Sequence, residues 1–126
     1  MRRFLKQLFL LNIFLWAALA GQVHAAEPNY PTRPVRLLVG FTPGGTSDVV
    51  ARIIGKKLSE EWGQQFVVDN RAGAAGMLAT ELTARANPDG YTLIFISSTF
   101  AMQPSTTPKL PYEPLRDFTP VTMAVA

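Results

Sequence analysis

The sequence predicts an α/β fold built on a parallel sheet. Three observations lead there. Short apolar runs rich in β-branched and aromatic residues recur at residues 35–41, 65–69 and 91–96. Segments of helical spacing separate them, and turns rich in Gly, Pro and Asn mark the joins. Strand and helix in alternation favour parallel pairing with right-handed crossovers. The composition agrees: 126 residues, 48% hydrophobic and 17% charged, are too apolar for a disordered tail and enough for one small domain.

The chain opens on an address. Arg2, Arg3 and Lys6 form a basic start, residues 8–19 an apolar run, and Val23-His24-Ala25 places small residues where a signal peptidase needs them. The run is shorter than the ~20 residues of a membrane-spanning helix. Residues 1–25 therefore read as a secretory signal peptide, cut after Ala25 or Ala26, with a retained N-terminal anchor as the alternative, and residues 26–126 as the mature part. The cut removes three basic residues and His24, the single histidine, leaving nine basic against nine acidic residues. The formal charge of +3 thus belongs to the signal. No basic patch remains to suggest a nucleic-acid partner. With no Cys and no mature His, thiol nucleophiles and the usual ligands of transition metals are missing. No metal ion or cofactor is expected, and carboxylate chemistry stays open to an enzyme.

Pro28, Pro31 and Pro34 make an extended lead-in. Val35-Arg36-Leu37-Leu38-Val39-Gly40-Phe41 is a buried strand, broken by Thr42-Pro43-Gly44-Gly45. Thr46, Ser47 or Asp48 is placed to cap a helix on which Val50, Ile53, Ile54, Leu58 and Trp62 recur at helical spacing. Gly63 stops it. Residues 65–69 form a second strand, with Trp62 and Phe66 read as core. Asn70-Arg71-Ala72-Gly73 turns the chain into a helix from about Gly76 to Arg85, with Leu78 and Leu82 one turn apart. Asn87-Pro88-Asp89-Gly90 turns it again into a third strand, 91–96, ended by Ser97-Ser98-Thr99. Five prolines between Phe100 and Pro120 leave that stretch without a clear pattern, and residues 121–126 read as the start of a fourth strand.

Two places suit a ligand. At the first strand–helix junction, Phe41 to Asp48, backbone amides lack helical partners and the helix dipole adds partial positive charge, which favours a carboxylate or phosphate. Gly44 and Gly45 let a ligand approach the backbone; they serve equally well simply to make the turn. The hydroxyls of Ser97, Ser98 and Thr99 form the second place. In an open parallel sheet both lie beyond the carboxyl ends of strands, where ligands bind. Neither G-x-G-x-x-G, a Walker A loop nor a G-x-S-x-G elbow is present. Asp48 reads more readily as a helix cap than as a catalytic acid; Asn70-Arg71 could salt-bridge a carboxylate, but an arginine in a turn reads more readily as structural or solvated.

Five motifs in order carry a resemblance: Tyr30 to Val39, Phe41 to Asp48, Asn70 to Gly76, Pro88 to Leu93 and Lys109 to Phe118. Together they resemble the substrate-binding proteins of tripartite tricarboxylate transporters, the Bug or TctC family. The resemblance implies a periplasmic-binding-protein-like α/β fold of two domains around a cleft, a periplasmic solute receptor rather than an enzyme, and a membrane permease as partner. Its ligand would be a small carboxylate or an amino acid. The family holds the ligand carboxylate by backbone groups and bridging waters at the first strand–helix loop and a later strand-end loop. Here these match Phe41, Thr42, Gly44, Gly45, Thr46, Ser47 and Asp48, with Ser97, Ser98 and Thr99. Two departures stand in the family's Asn-Arg-Pro-Gly-Ala-Gly-Gly turn: Ala72 replaces Pro, and Ala75 replaces the first of the paired Gly. The length is a third, and implies an N-terminal portion whose second domain is missing. The competing expectations are a truncated product without function and an exported hydrolase using Asp48 or Ser98.

Overall fold

A computed structural model describes residues 30–124. The expected signal peptide lies outside the described residues. The chain divides at Tyr30, and every element below belongs to Pro31–Ala126. These are β1 (Val35–Val39), α1 (Thr46–Trp62), β2 (Phe66–Asn70), a single 3-10 turn (Ala74–Gly76), α2 (Met77–Ala84), β3 (Thr92–Phe95) and α3 (Thr99–Thr106).

The three strands form a parallel sheet in the order β2-β1-β3. Val35 pairs with Phe66 and Val39 with Asn70 on one side of β1; Arg36 pairs with Thr92 and Val39 with Phe95 on the other. β1 is central, and all its residues but Arg36 are buried. That is why it reads as a continuous apolar run and not an alternating one. Leu37, Val39 and Ala51 form the core, with Phe41, Val68, Leu93 and Phe95 packed against it.

The helical stripe of α1 is not the expected one. Its buried residues are Asp48, Ala51 and Gly55. Ile53 is 60% exposed, and Trp62, expected in the core, is 48% exposed with its ring edge-on to Phe66. Small residues let α1 lie close on the sheet: a Cβ on Gly55 would stand 3.3 Å from the Phe66 carbonyl oxygen. Large apolar side chains flank that contact instead of making it. The same holds for α2, where Ala79 and Thr80 are buried and Leu78 and Leu82 are exposed. Gly63 ends α1 as expected, left-handed at φ 66°, its N–H donating to the Ser59 carbonyl at 3.1 Å.

The lead-in is fastened to the turn before β3. Arg33 pairs with Asp89 at 2.9 Å and lies 4.2 Å over the Tyr91 ring, whose hydroxyl accepts the Thr32 N–H. After β3 the proline-rich stretch begins as α3. Pro104 sits inside it and supplies no N–H, and the helix ends two residues later. The irregular chain beyond folds back through an aromatic trio. Tyr112 stacks on Phe100, and Phe118 meets both rings edge-on, with centroids 5.5–6.2 Å apart. Residues 121–124 are exposed and extend no strand, contrary to expectation. A strand exists by pairing, and among the described residues none pairs with them. Val125 and Ala126 lie outside the described residues.

Candidate functional site

The chain leaves β1 for β2 on one side and then crosses to β3 on the other. This reversal opens a crevice at the carboxyl ends of β1 and β3. Both ends run straight into helix starts: β1 through residues 40–45 into α1, β3 through residues 96–98 into α3. Between them lies a narrow crease walled by Gly40, Phe41, Gly76, Ser97, Thr99 and Gln103. Glycine is required here. A Cβ on Gly40 would stand 2.6 Å from the Gly76 Cα, so only bare backbone lets β1 and the start of α2 meet.

The structure thus brings Phe41, Ser97 and Thr99 of the expected site to one crease. Thr42, Gly44, Gly45, Thr46, Ser47, Asp48 and Ser98 do not line it. The Ser97 and Thr99 hydroxyls are 2.7 Å apart, and the Ser97 carbonyl accepts the Phe100 N–H at 3.1 Å.

The first residues of α1 carry the electrostatics. Its N-cap is Gly45, with no side-chain cap; the expectation that Thr46, Ser47 or Asp48 caps the helix is corrected. Those three are the first three helical residues, and their amides have no hydrogen-bond acceptor among the described residues. Asp48 instead reaches back: its carboxylate accepts the Gly44 N–H at 2.9 Å, Arg52 Nε at 3.0 Å and Asn70 Nδ2 at 2.9 Å. A carboxylate at the third helical position also suits the positive end of the dipole. The Arg52 hydrogen bond, then those from Gly44 and Asn70, hold its pKa down at about 2. Asp48 is buried and fully engaged, which leaves the three amides of α1 as the open donors.

Asn70, at the end of β2, was missed as a member of this site. Its side chain also donates to the Phe41 carbonyl at 3.1 Å and accepts from Arg52 at 3.1 Å. An asparagine closing a strand before a Gly-bearing turn is the one sequence signal that points to it. Arg71 is structural, pairing with Asp69 at 3.0 Å while its N–H donates to the Val39 carbonyl. Gln103 was missed as well; it comes from the stretch the prolines obscured. Its Nε2 donates to the Ala75 carbonyl at 3.2 Å, and its Oε1 accepts the Tyr112 hydroxyl. Ala75 itself is left-handed (φ 53°, ψ 38°), as is Ala74 at φ 47°, a conformation that suits glycine.

Residues 50–126 match the family described as Tripartite tricarboxylate transporter family receptor, and the chain belongs to that family. It is 43% identical over 119 residues to the BugT protein of Bordetella pertussis, a match covering 92% of this chain and 36% of BugT. Three solved structures share the fold. The periplasmic binding protein BugD has a TM-score of 0.68 at 39% identity, over 71% of this chain and 30% of BugD. The R. palustris protein Rpa4515 with adipate has 0.65 at 41%, over 68% and 29%. MatC from Rhodopseudomonas palustris with bound malate has 0.62 at 40%, over 73% and 32%. The chain spans about a third of the length of these relatives.

Proposed function

We propose that this chain is the N-terminal portion of a periplasmic solute-binding protein that captures a small carboxylate for a tripartite tricarboxylate transporter. The observation that carries the reading is the uncapped start of α1. Among the described residues the amides of Thr46, Ser47 and Asp48 have no acceptor, and they stand at the carboxyl end of the central strand, where a carboxylate is favoured. The adipate and malate of two structural neighbours support the ligand class. In this reading the amides receive the carboxylate, Gly44 and Gly45 keep the approach clear, and the Asp48 side chain holds the loop without touching the ligand. Ser97, Ser98 and Thr99 offer hydroxyls from the end of β3. Residues 1–25 direct export to the periplasm, a membrane permease receives the solute, and the protein binds without catalysing.

Gly45→Val is the cleanest probe. Gly45 has an ordinary extended backbone (φ −76°, ψ 168°), and an added Cβ meets only the Thr42 carbonyl oxygen at 3.5 Å. Gly44, at φ 84°, would strain under the same change. Calorimetric titration of the purified protein with adipate and malate should show binding that Gly45→Val reduces at least about tenfold, with the melting temperature nearly kept. Equal affinity in the variant, or no binding by the native protein, would overturn the assignment.

A further inference from the structure

We infer that Asn70 is the positioning residue of the carboxylate-binding loop, clamping both of its ends to the sheet from β2. Its Nδ2 donates at 3.1 Å to the Phe41 carbonyl, where the loop leaves β1, and at 2.9 Å to Asp48 Oδ1, where the loop has become α1. Its Oδ1 accepts Arg52 from the next turn of that helix. Asp48 passes the restraint on, because its second oxygen holds the Gly44 N–H. The residues between the two clamped points include Thr42-Pro43-Gly44-Gly45, which form no regular element. Two glycines there mean many accessible conformations. Without the clamp the open amides of α1 would face a loop free to move over them.

The chemistry demands an asparagine. The Phe41 carbonyl and the Asp48 carboxylate both accept, so the clamp must donate twice, and it must accept from Arg52. A primary amide offers two donors and an acceptor on one short side chain. An aspartate offers no donor when ionised. The charged groups around the clamp are few. Arg52 faces it from α1. Asp69 and Arg71 flank it in sequence, but Asp69 is held by Arg36 and Arg71. From β1 the residue paired with Asn70 is Val39, which carries no charge.

The inference rests on the carboxylate-binding reading for its ligand half and on the loop geometry alone for its positioning half. The test reads both, in the full chain, with native protein, Asn70→Ala and Asn70→Asp at pH 8 and pH 5. Amide hydrogen exchange follows Gly44 against the amides of β1; calorimetry follows adipate and malate. Asn70→Ala should speed exchange at Gly44 about tenfold while β1 keeps its protection, and affinity should fall about tenfold, as expected when the competent loop is populated a tenth of the time. Asn70→Asp should be as poor as Asn70→Ala at pH 8, where two carboxylates repel. At pH 5 the pair can share one proton, restoring a single donor. Its affinity relative to native protein at the same pH should therefore recover in part. The native loop should not change between pH 5 and 8, since Asp48 stays ionised down to about 2.

Unchanged exchange at Gly44 in Asn70→Ala would overturn the clamp. So would equal loss of protection in β1, which would make Asn70 a general stabiliser, and so would an Asn70→Asp ratio identical at both pH values. If native protein binds neither acid, the carboxylate reading falls, while exchange at Gly44 still decides the clamp.

Discussion

Single residues set the shape of the crease. Ala75 occupies a left-handed conformation at φ 53°, ψ 38°, where its Cβ crowds the backbone. The neighbouring Gly40 and Gly76 are pressed together, so the turn cannot relax by moving toward β1. Alanine at position 75, where the resembled turn has glycine, is thus a point of local strain. The cost of a left-handed alanine is about 1 kcal/mol. Ala75→Gly should therefore raise stability by up to about 1 kcal/mol, partly offset by the extra freedom of glycine in the unfolded chain. Chemical denaturation of the two proteins measures it; a variant less stable than native would mean that this conformation carries no penalty. Asn70 and Gln103 act at the same scale. Each is a polar side chain whose meaning lies in which distant carbonyls it reaches.

Among the elements, α1 shows how a helix chooses its buried face. Apolar spacing marked the helix correctly, yet the largest apolar residues do not dock. Ala51 and Gly55 do: Ala51 clusters with Leu37 and Val39 of β1, and Gly55 lies so close to Phe66 that a Cβ would stand 3.3 Å from its carbonyl oxygen. Ala51→Leu should cost about 1–3 kcal/mol through overpacking. Ile53→Ser, on an exposed position, should change stability by less than about 0.5 kcal/mol. Thermal melts of both variants test the pair together, and the reverse order would restore the stripe that periodicity alone suggested. The strands behave differently. β1 was legible because a strand buried on both faces has no choice of face to make.

At the scale of the whole molecule, the chain spans about a third of its relatives and carries an export signal in its first 25 residues by our reading. The intact mass of the periplasmic product should correspond to a chain that starts at Ala26, and N-terminal sequencing should read Ala-Glu-Pro-Asn. A product retaining Met1 in a membrane fraction would replace the signal by an anchor. The same spectrum gives the length of the native product. Several exposed apolar side chains, among them Val49, Ile53, Val67 and Met102, remain on the surface of the described residues.

The sequence by itself determined the class of the fold, the three strands, the first two helices, the turn glycines and the two strand-end loops. These are local matters: apolar runs, helical spacing and residues whose backbone preferences are their own. Only the tertiary structure decided which face of each helix is buried, that Gly45 and not a side chain caps α1, that α3 forms through a proline-rich stretch, and that residues 121–124 pair with no strand among the described residues. It alone joined Asn70 to Phe41 and Asp48 across 29 and 22 positions. Such choices depend on what a side chain meets after the chain has crossed the sheet, and no property of the residue taken alone records that meeting.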